Sequence, residues 1–126
     1  IVLSEQPSGG RTLVEKLEEY SDVGYAFVIL TPDDLGGLYE NGGKWSRPKR
    51  LRSYLKKAYP RARQNVILEF GYFVGKLGRS KVTCLLKKPV EQPSDMQGIV
   101  YIRFNESLEE IRAEIAKEIA AAGYKI

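Results

Sequence analysis

Continuous apolar runs alternate along the chain with segments whose apolar residues recur at helical spacing. Two runs, Gly24–Leu30 and Val82–Leu86, are predicted to be buried strands, the first of them covered on both faces, and Gly98–Phe104 is predicted to be another strand. A shorter run, Ile1–Leu3, is predicted to be the end of a further buried strand. Strands that alternate with helices predict a parallel sheet covered on both faces. The pattern therefore predicts an α/β fold, in a single domain over residues 1–126.

Two capping boxes mark where helices begin. Thr12 is followed three residues later by Glu15, and Ser107 is followed in the same way by Glu110. In this motif the hydroxyl and the carboxylate each accept a hydrogen bond from a backbone N–H of the first turn. The final helix is predicted to end near Gly123.

The most informative helix is predicted over Pro60–Leu77. Its apolar stripe consists of Ala62, Val66, Phe70, Phe73, Val74 and Leu77. Glu69 and Asn65 lie on one flank of that stripe, so the Glu69 carboxylate is predicted to be partly desolvated at the edge of the core. Two interpretations stay open on this ground: a catalytic carboxylate that faces a cleft, or a structural glutamate paired with a cation.

Residues 33–60 form a long connection, in which a short helix is predicted near Leu51–Ala58. The overlapping basic segment Lys44–Arg63 carries nine basic residues and no acidic one, although the whole chain has a charge of only +4. The other residues comprise 11 basic and 16 acidic side chains, a balance of −5. Because that remainder repels a polyanion, a solvated helix face or a site for a small phosphate-bearing ligand is favoured over nucleic-acid binding.

The composition narrows the chemistry. The sequence has no histidine and one cysteine, Cys84. This excludes Ser-His-Asp triads, His-ligated metals and an internal disulfide, and no metal site is predicted. Cys84 is predicted to be a buried strand thiol. A single free thiol, together with no segment typical of a signal peptide or a membrane span, predicts a cytoplasmic protein without membrane association.

Three stretches carry a resemblance to a known family: SEQPSGGRTLVEKLEEYSDVGYAFVILTPDD, PRARQNVILEFGYFVGKLGR and PSDMQGIVYIRF, which together cover about half of the chain. They resemble the bacterial TIR-like nucleotide-binding family found among effectors of the CBASS and Pycsar anti-phage systems and fused to bacterial STING. The resemblance implies a flavodoxin-like three-layer TIR fold. It also implies an NAD+ glycohydrolase that releases nicotinamide once TIR domains self-associate, with NAD+ as substrate and no cofactor.

The resemblance also assigns site residues. Glu69 matches the catalytic glutamate of the family. The residues assigned to substrate binding are Ser8, Gly9, Asp33, Asp34, Asn65 and Asp95. Nicotinamide leaves NAD+ as a neutral molecule, so one anionic glutamate suffices to stabilise the oxocarbenium-like ribose without a general acid. A non-catalytic TIR interaction module and a nucleotide-binding regulatory domain remain the alternatives.

The family pattern begins with an earlier strand, which carries a short His-Gly signature, and a helix, and this sequence contains neither. Since the chain starts at Ile1 rather than Met, we expect it to be the truncated part of a longer chain. In the flavodoxin-like strand order 2-1-3-4-5, Ile1–Leu3 matches the second strand and Gly24–Leu30 the third. The missing first strand then predicts a slot beside Gly24–Leu30, lined by unpaired backbone groups.

Overall fold

A computed structural model describes residues 1–39, 55–94 and 96–125. The strands are β1 (Ala26–Leu30), β2 (Asp34–Tyr39), β3 (Leu55–Arg61), β4 (Val82–Lys87) and β5 (Val100–Phe104). The α-helices are α1 (Leu13–Tyr20), α2 (Gln64–Leu77) and α3 (Arg112–Ala121), and short 3-10 turns lie at Leu3–Glu5, Arg79–Lys81 and Leu108–Ile111. Three strands form a parallel sheet in the order β1-β4-β5, while β2 and β3 form a separate antiparallel pair.

The parallel sheet confirms the predicted α/β class with a flavodoxin-type arrangement. Its middle strand, β4, is buried from Val82 to Leu86, as a strand covered on both faces must be. The register pairs Ala26 with Val82 on one side of β4 and Thr83 with Val100 on the other. The carboxyl ends of all three strands therefore meet at one edge of the sheet, where open α/β folds place their ligands.

Each face of the sheet carries its own buried cluster. Under α2 the cluster consists of Val28, Leu30, Ala62, Phe70, Val82, Cys84, Leu86 and Val90. On the other face Leu85 packs with Phe104 and Ile111. Successive residues of a strand face opposite sides, which is why Cys84 and Leu85 belong to different clusters. All six residues of the predicted apolar stripe belong to the first cluster or pack against it.

Two predictions are wrong: the strand over Ile1–Leu3, and the helix near Leu51–Ala58 as far as the structure describes that segment. Ile1–Leu3 is not a strand: Ile1 and Val2 are exposed, and a single 3-10 turn begins at Leu3. The helix predicted near Leu51–Ala58 is contradicted from Leu55 onward, because these residues belong to β3. Residues 51–54, and most of the basic segment, lie outside the described residues.

Pairing with β2 also moves the start of α2. Pro60 and Arg61 lie opposite Leu35 and Asp34 in the antiparallel ladder, so α2 begins at Gln64 rather than at Pro60. A Cβ atom on Gly36 would overlap the Arg61 side chain, and the glycine therefore lets this arginine cross β2. Long-range pairing has overridden the local helical preference of the segment.

β1 lies at an edge of the parallel sheet. Within the described ranges it pairs only with β4, and its other side meets no strand. The slot predicted beside Gly24–Leu30 is thus open in this part of the chain. In the residues the structure describes, no helix is both long and apolar enough to span a membrane.

Both predicted capping boxes are formed. The Thr12 hydroxyl accepts a hydrogen bond from the Glu15 N–H at 3.2 Å, and the Glu15 carboxylate accepts one from the Thr12 N–H at 2.7 Å. The Glu110 carboxylate accepts backbone hydrogen bonds from three successive residues, Asn105, Glu106 and Ser107, at 2.8–3.1 Å. These N–H donors favour the ionised form and lower the pKa of Glu110 to about 2.

Glu110→Gln is expected to lower the free energy of unfolding near neutral pH, because the amide cannot carry the charge that three N–H groups stabilise. Since folding lowers the pKa of Glu110 from 4.5 to about 2, the stabilisation is complete above pH 4.5 and is lost as the pH falls towards 2. Urea unfolding of both proteins at neutral pH and near pH 2 tests this, with the exposed Glu114→Gln as control. An equal loss at both pH values would contradict the assignment.

Candidate functional site

A cavity of about 560 Å³ runs along the free edge of β1. Its apolar wall comes from the N-terminal residues, from consecutive residues of β1 and from the inner face of α2. Its polar lining comes from five side chains: Ser4, Tyr20, Tyr25, Arg63 and Glu69. This cavity coincides with the slot in which the family's first strand is expected to lie, so the candidate small-molecule site is its polar part around Glu69 and Arg63.

Glu69 is the acidic side chain of this cavity. Its position on the flank of α2, beside the buried Phe70, leaves it partly buried, as its place beside the apolar stripe predicted. Desolvation raises the pKa of the Glu69 carboxyl, and the positive charges of Arg63 and Lys16 oppose that shift without cancelling it. A carboxylate that has lost water in this way interacts strongly with a positive charge that forms beside it.

Arg63 is the basic side chain of the cavity, and it is held in place by the turn after β1. Its Nε lies 3.4 Å from Oδ2 of Asp33, and the Thr31 hydroxyl donates to the same Asp33 oxygen at 2.5 Å. The backbone N–H of Asp33 donates to the Arg61 carbonyl at 3.2 Å, which ties the turn to β3. The arginine thus reaches the cavity from a supported position.

Two tyrosines supply aromatic surface. Tyr25 shares a hydrogen bond of 2.6 Å with Thr83, and its ring packs 5.1 Å from that of Phe27. The guanidinium of Arg11 lies over the Tyr20 ring, 5.7 Å from its centre. Both rings are therefore anchored, but Tyr25 packs with Phe27 and Thr83 on the sheet face opposite α2, so its ring does not lie beside Glu69.

Among the residues assigned from sequence, Glu69 lines the cavity, and Asp33 is connected to it through Arg63. Ser8 and Gly9 form a turn before α1, in which Arg11 donates to the Ser8 carbonyl, and neither lines the cavity. Asn65 is exposed in the first turn of α2. The substrate-binding roles of these residues stay predictions.

Asp34 and Asp95 complete the sequence-based assignments. Asp34 pairs with Arg61 at 3.6 Å and accepts a hydrogen bond from the Leu35 N–H, so it is engaged within the β2–β3 pair. Asp95 lies outside the described residues. Their binding roles also stay predictions.

Sequence reasoning missed four of the five polar side chains of the cavity: Ser4, Tyr20, Tyr25 and Arg63. Arg63 entered it as the last member of the basic segment, for which a small phosphate-bearing ligand was one favoured interpretation, and as part of the PRARQN motif. No local pattern indicated that its side chain shares a cavity with Glu69.

The segment that forms the cavity matches a known protein family. The family model of the TIR domain of CAP12/Pycsar effector proteins matches residues 1–106. The chain belongs to this family. The resemblance read from the sequence motifs is thereby confirmed, and residues 1–106 of this effector-type TIR domain contain the whole cavity.

Curated relatives of this TIR domain come from bacteria and from an amoeba. The Uncharacterized protein YuaY of Escherichia coli is 47% identical over 107 residues, which are 84% of this chain and 31% of that protein. Protein tirC of Dictyostelium discoideum is 37% identical over 122 residues, 91% of this chain and 56% of that protein. The Pycsar effector protein XpPycTIR of Xanthomonas perforans is 32% identical over 95 residues, 74% of this chain and 26% of that protein.

The TIR domain spans about a third to about half of the length of the first two of these relatives. No solved structure matches it.

Proposed function

We propose that this TIR domain cleaves NAD+ to nicotinamide and ADP-ribose, with Glu69 as the catalytic carboxylate. The observation that supports the proposal most is a partly buried carboxylate, with a raised pKa, in a cavity that a guanidinium also lines. The family adds an effector role in bacterial anti-phage signalling, which we propose to be exercised in the cytoplasm after TIR domains self-associate.

The reaction breaks the bond between the ribose C1′ and the nicotinamide nitrogen. The bonding pair leaves with nicotinamide, which becomes neutral, and a positive charge spreads over C1′ and the ring oxygen of the ribose. A Glu69 carboxylate beside that ring stabilises the charge as it forms and accepts hydrogen bonds from the ribose hydroxyls. Water then adds to C1′ and releases one proton, which gives ADP-ribose.

The chemistry requires no histidine, no metal and no general acid, in keeping with the side chains that line the cavity. The partial burial of Glu69 strengthens the attraction between the carboxylate and the ribosyl cation, because less water screens them. The Tyr20 ring offers a surface for nicotinamide or adenine.

The direct test is to incubate the full-length protein with NAD+ and to separate nicotinamide and ADP-ribose by chromatography. The protein is compared dilute in solution and crowded on beads, because the proposal includes activation by assembly. Nicotinamide release that rises with crowding supports the proposal. Binding of NAD+ under both conditions with no nicotinamide formed would instead identify a regulatory or interaction module.

The rate of nicotinamide release is expected to fall at acid pH with the titration of Glu69. Only the ionised carboxylate stabilises the ribosyl cation, and desolvation raises the pKa of Glu69 above 4.5. Activity should therefore be complete at neutral pH and decline as the pH falls, with a midpoint above 4.5. Circular dichroism at each pH confirms that the protein stays folded. A rate that stays constant down to pH 4.5 in folded protein would contradict this role.

A further inference from the structure

The cavity contains two opposite side-chain charges, and the proposed reaction accounts for one of them. Glu69 is assigned to the cationic ribose, which leaves Arg63 without a function. Arg63 is the N-cap residue of α2 and Glu69 lies six residues further along the chain, and both line the same cavity.

Among the described residues Arg63 forms its ion pair with Asp33 and not with Glu69, on which it acts only through the longer-range attraction of its charge. Its ion pair is made by Nε with Asp33, and its side chain is 69% exposed. A pair made through Nε leaves both terminal nitrogens of the guanidinium available, and these form the fork that binds phosphate oxygens in pairs. Arg63 also directly precedes the first turn of α2, where the helix dipole favours an anion.

Both the carboxylate and the backbone N–H of Asp33 already have partners within the protein. Its carboxylate accepts the Thr31 hydroxyl and faces Arg63, while its backbone N–H is bonded to the carbonyls of Thr31 and Arg61. A carboxylate fixed in this way orients the guanidinium. It would be repelled by a diphosphate, because both groups are negatively charged. Asp33 is therefore better placed to act through Arg63 than to touch a substrate.

We infer that Arg63 binds the diphosphate of a dinucleotide substrate, and that Asp33 is a positioning residue that orients Arg63. The inference rests on the proposed function and deepens it: Arg63 makes the site select a dinucleotide over a nucleoside that contains the same scissile bond. The chemistry recognised is a diphosphate linked to the ribose that Glu69 contacts.

The test compares two substrates of the full-length protein, NAD+ and nicotinamide riboside, which share the scissile bond but differ in the diphosphate. At a pH where Glu69 stays ionised without the Arg63 charge, Arg63→Gln is expected to raise the KM for NAD+ about tenfold to a hundredfold, and to change kcat and nicotinamide riboside cleavage far less. Arg63→Lys should recover part of the loss, since a lysine keeps the charge without the fork. The control is Arg112→Gln, which removes an exposed arginine that pairs with Glu109 at the start of α3, outside the cavity lining.

The positioning role of Asp33 has a separate readout. Asp33→Asn is expected to raise the KM for NAD+ less than Arg63→Gln does, again with far less effect on nicotinamide riboside. The double variant should be no worse than Arg63→Gln alone, because Asp33 acts only through the arginine. Additive losses, or equal losses on both substrates, would overturn this part of the inference.

Binding separates this inference from the proposed function. In the Glu69→Gln background, calorimetric titration with ADP-ribose should show affinity that falls at least tenfold on adding Arg63→Gln and stays unchanged on adding Arg112→Gln. Diphosphate binding through Arg63 without nicotinamide release by the wild type would refute the proposed function and keep the inference. Normal NAD+ turnover and normal ADP-ribose affinity in folded Arg63→Gln would refute the inference alone.

Discussion

Glu69→Gln is expected to abolish nicotinamide release while the domain stays folded. The amide keeps the shape of the side chain but removes the charge that stabilises the ribosyl cation, so we expect kcat to fall by at least about a hundredfold. Initial rates of nicotinamide release from the full-length protein measure the effect. Glu114→Gln, which neutralises an exposed glutamate of α3, is the matched control and should retain full activity.

The same substitution carries a prediction for stability that separates catalysis from folding. Desolvation raises the pKa of Glu69 in the folded state, so the ionised carboxylate is less favourable there than in the unfolded chain. Its cost to stability is present above the folded-state pKa and disappears below pH 4.5. Glu69→Gln should therefore be at least as stable as the wild type at neutral pH. Near-normal turnover in this folded variant would rule out Glu69 as the catalytic residue.

Phe70→Ala is expected to have the opposite profile, with a large loss of stability. Phe70 is only 2% exposed and meets Tyr101 edge to face, with ring centres 6.4 Å apart. Removing a buried phenyl ring costs about 3–5 kcal/mol. Since small domains are stable by about 5–15 kcal/mol, the variant should unfold at a much lower urea concentration or fail to fold.

Leu68→Ala is the control for the core substitution. Leu68 is 52% exposed on the same helix, and its truncation should change the free energy of unfolding by no more than about 0.5 kcal/mol. Urea titrations followed by circular dichroism compare the variants with the wild type. Equal midpoints for Phe70→Ala and the wild type would show that α2 does not pack on the sheet through this ring.

The parts of the fold that could be predicted are those with a local cause. The capping boxes follow from hydrogen bonds over three residues, and the burial of β4 follows from one continuous apolar run. The β2–β3 pair was missed because its strands are distant in sequence and β3 carries a proline and several cations. What places that pair is contact between distant residues, such as Arg61 crossing Gly36, and no local pattern encodes it.

The candidate site also has one residue whose position has a local cause and one whose position depends on distant contacts. The position of Glu69 beside the core could be predicted, because helical periodicity sets the angle between it and the apolar stripe. The position of Arg63 could not, because it depends on the turn after β1 bringing Asp33 within reach. The proposed substrate, NAD+, came from motif resemblance and not from periodicity, since a flank glutamate alone is compatible with a structural role.

The buried thiol of Cys84 is a probe of how often the core of this domain opens. Its thiol is fully buried in the middle strand, and burial raises its pKa to about 12, so it is protected from thiol reagents both by lack of access and by lack of thiolate. A reagent reaches it when α2 moves off the sheet or the domain unfolds, and its labelling rate is then the intrinsic rate scaled by the population of that opened state. Because the sequence has no other cysteine, labelling reports only the opening of the core between α2 and the sheet. The labelling rate of Cys84 therefore measures how often this core opens. Comparing the rate with and without nucleotide shows whether a ligand in the cavity keeps α2 closed on the sheet.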